Sequence, residues 1–150
     1  KKIILFSIIV LMMVINEDMM GKDLSEHKWN NRLVLLIAND TDDKDLQLQL
    51  EELKKDIPGL DDRKILIYKI LPNKYQIESP DETDWVISSD LYNKYSQFDS
   101  PFEFILIGLD GEIKLSKREP VSYDELFSII DRMPMRAQEL RNKNSHLHRD

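Results

Sequence analysis

Apolar positions along the chain fall into blocks whose length and spacing predict different elements. Arg32-Leu-Val-Leu-Leu-Ile-Ala38 and Lys64-Ile-Leu-Ile-Tyr-Lys-Ile70 are short runs bounded by polar residues, the pattern of strands buried on both faces. Between them Leu46, Leu50, Leu53 and Ile57 recur at helical spacing, with Thr41 or Asp42 placed to cap the helix and Pro58-Gly59 to stop it. A helix between two such strands implies a parallel crossover. Pro72 ends the second strand, and the stretch from Asn73 to Asp84 shows no period and is expected to be a loop. Ser88 or Ser89 caps a short helix through Tyr95 that turns Leu91, Tyr92 and Tyr95 inward. From Phe102 to Leu115 two strand-like runs flank Asp110-Gly111, which predicts a hairpin closed by a two-residue type I′ turn. Ser122-Tyr-Asp-Glu125 has the form of a capping box, and Leu126, Ile129, Ile130 and Met133 give its helix an apolar face. Pro134 should end or kink that helix, and the polar stretch beyond it is expected to fray.

The resulting fold class is α/β: a thioredoxin-like β-α-β-α-β-β-α domain with a mixed sheet flanked by helices. The hairpin is the deciding element, because a flavodoxin-like or Rossmann domain needs another crossover where this chain has a tight turn.

Ahead of this domain, Lys1 and Lys2 precede a run from Ile3 to Ile15 whose one polar member is Ser7. A positive start and an apolar segment of that length are the pattern of a secretory leader. At about 1.5 Å per residue such a run reaches only ~20 Å, short of the ~30 Å hydrocarbon core. The organisation expected is therefore residues 1–21 as signal peptide or uncleaved anchor, 22–137 as the thioredoxin-like domain, and 138–150 as a polar, flexible tail. An extracytoplasmic location, periplasmic or secreted, follows from that reading.

Composition narrows the chemistry. The chain has no cysteine, which excludes thiol catalysis, disulfides and zinc-thiolate sites. Its formal net charge of -7 opposes attraction to phosphate backbones and anionic lipid. No nucleic-acid partner is expected, and membrane contact only through an uncleaved leader.

A more specific resemblance lies in the last third. Phe104-Ile-Leu-Ile-Gly-Leu-Asp-Gly-Glu-Ile-Lys114, followed by Asp131-Arg-Met-Pro-Met-Arg136, resembles an uncharacterised thioredoxin/peroxiredoxin-like domain family shared by exported bacterial proteins and vertebrate sushi-repeat and matrix proteins. With Trp29 and Arg32 the resemblance spans residues 29–139, and Leu109 stands where the family often has a lysine. It implies the fold and an extracytoplasmic setting, and no established activity. It also puts Pro101 where thioredoxin-like proteins carry a cis-proline beside the substrate groove; an ordinary trans-proline at the start of a strand is the alternative.

Where redox-active relatives carry the nucleophilic cysteine, after the first strand, this chain reads Asn39-Asp-Thr-Asp-Asp-Lys-Asp45. Neither hydroxyl nor carboxylate forms and exchanges a disulfide. The acids begin like a calcium loop, but Lys44 occupies a ligand position and Asp45 replaces the turn glycine, so no metal is assigned. His27 stands alone, without evident triad partners. Arg132-Met-Pro-Met-Arg136 has two readings: a docking surface of adaptable methionines and planar cations, or a helix end with Met133 in the core and Asp131 paired to Arg132 or Arg136. The expectation is a non-catalytic module without cofactor that binds an unidentified protein or peptide. Asp40, Asp42, Asp43, Pro101, Met133, Pro134, Met135 and Arg136 are the candidate contacts. The alternatives are an enzyme using Asp40, Asp42 and Arg136, or a structural component of the envelope.

Overall fold

The computed structural model describes residues 23–78 and 83–147; the leader segment 1–21 lies outside them. β1 (Arg32–Ala38) is the central strand of a six-stranded sheet. It pairs in parallel with β2 (Ile65–Leu71), and antiparallel with β5 (Phe102–Ile107), which pairs antiparallel with β6 (Ile113–Lys117). On the other edge β3 (Lys74–Glu78) and β4 (Val86–Ile87) continue the sheet in the order β4-β3-β2-β1-β5-β6. The expected mixed sheet and its hairpin are present. Part of the stretch expected to be a loop is instead β3, whose Tyr75 is buried against Tyr68 of β2. Alternation is weak there because the strand lies near an edge and is only half covered.

Side chains of β1 alternate between two cores, as a strand's period of two requires. Val34, Leu36 and Ala38 pack under α1 (Lys44–Lys54), α2 (Ile57–Asp62) and α4 (Tyr123–Asp131). Leu33, Leu35 and Ile37 face the other way, with Leu24 and with Leu91 from α3 (Asp90–Tyr95). Gln49 is a buried polar exception: its amide receives the Val121 N–H at 2.6 Å and donates to the Val121 C=O at 2.9 Å, fastening α1 to the start of α4.

Helix ends differ in detail from the sequence reading. Asp43, not Thr41 or Asp42, caps α1 by accepting the Leu46 N–H at 2.9 Å. Pro58 lies in the first turn of α2 rather than halting the helical path, because its missing N–H falls where no intrahelical bond is made. Ser122 caps α4 through the Glu125 N–H as expected, while the Glu125 carboxylate turns to Lys117. The hairpin turn is also corrected. Gly111 N–H donates to the Gly108 C=O and only Gly111 of the turn has positive φ, at 79°, a longer loop than a type I′ turn, which needs two such residues.

α5 (Pro134–Leu147) revises the expected polar tail. α4 already ends at Asp131 with Arg132 as its cap, and Pro134 begins the next helix. The residues after it stay helical because Arg136, Glu139 and Lys143 pair with Arg32, Asp62 and Asp131 in the body of the domain.

Candidate functional site

The residues singled out from sequence separate to the two ends of β1, about 20 Å apart at ~3.3 Å per strand residue. At the C-terminal end, the Asn39 N–H donates to the Pro101 C=O at 3.3 Å, holding the turn after β1 beside the start of β5. Asp40 accepts the Asp42 N–H at 2.8 Å, Asp43 serves as the helix cap, and Gln47 donates to the Thr41 C=O. Asp40, Thr41, Asp42 and Pro101 remain exposed. Pro101 follows a trans peptide bond, so the cis alternative is not adopted.

Behind this face lies a residue the sequence reading passed over. Glu103 of β5 is 1% exposed and accepts from Ser96 Oγ at 2.8 Å, Gln97 N–H at 2.9 Å and Phe98 N–H at 3.2 Å. One buried carboxylate therefore organises the loop leading to Pro101. Its signal was a charge inside an otherwise apolar strand.

At the N-terminal end of β1, Arg136 is 4% exposed and fully engaged. It donates to the Asp62 C=O at 2.7 Å and pairs with the Asp62 carboxylate, with Asp131 at 3.3 Å and with Glu139 at 3.4 Å. Arg63 holds Asp131 at 2.6 Å while its guanidinium lies over the Phe127 ring. Lys143 and then Arg136 draw the Asp62 carboxyl down to about 2. Burial raises Asp131, but Arg63 and Arg136 outweigh it and leave its carboxyl lowered.

This arrangement decides between the readings of the Arg132–Arg136 segment in part. Met133 is partly buried against the core and Asp131 pairs with Arg136, while Pro134 and Met135 are exposed. The three residues of the enzymatic alternative are also separated. Arg136 is enclosed by three carboxylates at one end of the sheet, and Asp40 and Asp42 lie at the other, so the three cannot converge on one substrate.

Beside the network a hollow of about 300 Å³ is lined by Arg32, Leu109, Ile129, Met133, Pro134 and Met135 among others. Arg32 is fully buried, and its Nη1 donates to the Arg63 C=O at 2.9 Å and approaches both Glu139 oxygens at 3.3 Å. Its Nε and Nη2 are buried without a hydrogen-bond partner among the described residues. His27 is not isolated either: its Nε2 lies 2.7 Å from the Tyr68 hydroxyl.

The family model "Domain of unknown function (DUF4174)" matches residues 23–139. The chain belongs to this family. Its match begins at the segment ahead of β1 and ends at Glu139, so it includes both ends of the sheet and the start of α5. No curated protein matches the chain. Among solved structures, the reduced 2-Cys peroxiredoxin of Plasmodium vivax is similar with a TM-score of 0.51 at 16% identity, covering 80% of this chain and 84% of that one. That likeness shows the fold. The DUF4174 domain here is thioredoxin-like, with a six-stranded mixed sheet flanked by helices.

Proposed function

We propose that this DUF4174 domain is an exported, non-catalytic binding module that presents the turn Asn39–Asp43 and the Pro101 edge to a protein or peptide. The observation that carries the reading is the Asn39 to Pro101 backbone bond, which joins those two segments into one exposed face. On this thioredoxin-like scaffold the face lies at the carboxyl end of a parallel strand, where open α/β sheets commonly bind ligands. Thiol exchange needs a thiolate, and the chain has none. The leader-like run from Ile3 to Ile15 supports export.

The test is crosslinking and affinity capture of the full chain in its native compartment, with partners identified by mass spectrometry. Asp42→Lys and Pro101→Ala should each reduce recovery of one stoichiometric partner at least about fivefold, the loss of roughly 1 kcal/mol at an interface. Both positions are exposed, so thermal stability should be nearly unchanged. Equal recovery by wild type and both variants would remove this face from the proposal.

A further inference from the structure

We infer that Arg32 heads a carboxylate-binding subsite in the hollow beside Met133, Pro134 and Met135, a site that takes the free carboxylate of an apolar residue or small acid. It lies at the opposite end of β1 from the Asn39–Pro101 face and stands without it.

The argument begins with the geometry of one guanidinium. Arg32 Nη1 is committed to the β2 side, toward the Arg63 C=O and Glu139. The Nε–H and Nη2–H form the opposite edge of the planar group, a fork of two parallel donors that matches a carboxylate bidentately. Both atoms of that fork are buried and without a partner among the described residues. On that side of β1 lies β5 with the turn after it, including Leu109, which lines the hollow together with Arg32. Leaving buried charged donors unmet is destabilising, and an incoming carboxylate relieves it.

Charge and lining fit the same ligand. In the network around Arg32, the four cations Arg32, Arg63, Arg136 and Lys143 meet three carboxylates, Asp62, Asp131 and Glu139, leaving one positive charge over. Arg132, also at the hollow, is exposed and has no ion-pair partner among the described residues. Lys114 and Asp110 line it as well, and Lys114 is shared between Asp110 at 2.6 Å and Glu112 at 3.1 Å, so the lysine adds no free positive charge and Arg32 and Arg132 are the cations left to meet an anion. The remaining wall is apolar, from Leu109, Ile129, Met133, Pro134 and Met135. A volume of about 300 Å³ is at the small end of ligand pockets, suited to one residue or a short acid. Two sources share that chemistry: the C-terminal residue of a peptide, and a free branched-chain acid.

The test follows the Arg32 Nε–H resonance of the full chain by NMR, identified by its loss in Arg32→Lys. N-acetyl-leucine should move it saturably with a Kd of about 1 mM or tighter, and N-acetyl-leucinamide, which lacks the carboxylate, should not. Arg32→Lys, read on other resonances of the hollow, should bind at least about tenfold more weakly because the ammonium has no fork. Met135→Asp keeps the informative result available if that variant fails to fold, since Met135 is exposed; it should weaken binding about fivefold by like-charge repulsion. Tighter binding of N-acetyl-leucine than isovalerate assigns the site to peptide C-termini, and the reverse order assigns it to small acids. An unmoved Nε–H signal, an equal response to the amide, a stronger response to inorganic phosphate, or undiminished binding in Met135→Asp would overturn the assignment.

Discussion

Replacing Glu103 with Gln tests whether the Asn39–Pro101 face is built from beneath. In the native domain one carboxylate oxygen accepts from Ser96 Oγ and the Phe98 N–H, and the other accepts the Gln97 N–H. A glutamine amide has one acceptor oxygen, so the better of its two orientations keeps two bonds and sets an NH2 against the Gln97 N–H. Hydrogen bonds to a charged group contribute about 1.5–3 kcal/mol each. Gln97 is itself exposed, so its N–H regains some solvent contact, and the expected loss is about 1.5–3 kcal/mol rather than that plus a full desolvation term. With a urea m-value of about 1.5 kcal/mol/M for a domain of this size, the midpoint should fall by about 1–2 M at unchanged m. Amide hydrogen exchange gives the local readout: Gln97 and Phe98 should lose protection more than β1 does. A midpoint within about 0.3 M of wild type, with protection at both amides retained, would refute the idea that Glu103 organises this loop.

Two further outcomes probe the rest of the frame. Gln49→Leu removes both bonds to Val121 and leaves a buried N–H and C=O unmet, each worth about 1–3 kcal/mol, against about 1 kcal/mol gained by the apolar side chain; urea titration should show a net loss of about 1–5 kcal/mol, and no loss would mean α4 is anchored otherwise. Asp62, held at about 2 by Lys143 and Arg136, has a folded pKa below its unfolded value, so its stabilisation is present above about pH 4 and disappears as pH falls through about 2. Because Asp62 is 35% exposed, solvent screening reduces that stabilisation to about 1 kcal/mol, and Asp62→Asn should flatten stability between about pH 4 and pH 2. An unchanged pH dependence in that variant would show that the α5 network is not held by this carboxylate.

The parallel pair, the hairpin and helices α1, α3 and α4 were legible because each carries its own local pattern: continuous apolar strands, a leucine stripe, a serine cap or a Ser-x-x-Glu start. β3 was not, since an edge strand with one buried residue, Tyr75, has no alternation to display. α5 was hidden for a related reason. Its sequence is polar all round, and what fixes it is a set of ion pairs to Arg32, Asp62 and Asp131 that are distant in sequence and invisible before folding. Candidate residues divided the same way. Asp43 and Pro101 could be singled out by type and position, whereas Arg32 and Glu103 acquire meaning only from what surrounds them.

Those two residues meet one physical problem in different ways. Arg32 and Glu103 lie on the two strands that pair at the centre of the sheet, and each is a buried charge in an apolar strand. Burying a charge is unfavourable unless hydrogen bonds meet it. Glu103 meets that condition internally, with three donors from its own loop, so it works as architecture. Arg32 meets it on one edge only, and a charge satisfied on one edge is the feature that a ligand, rather than the fold, completes. Replacing Glu103 should therefore reduce stability first and binding as a consequence, while Arg132→Ala, beside Arg32 and exposed, should weaken carboxylate binding about two- to threefold with stability within ~0.5 kcal/mol of wild type. The opposite pattern, stability lost and carboxylate binding kept, would make the Arg32 end of the sheet architectural as well.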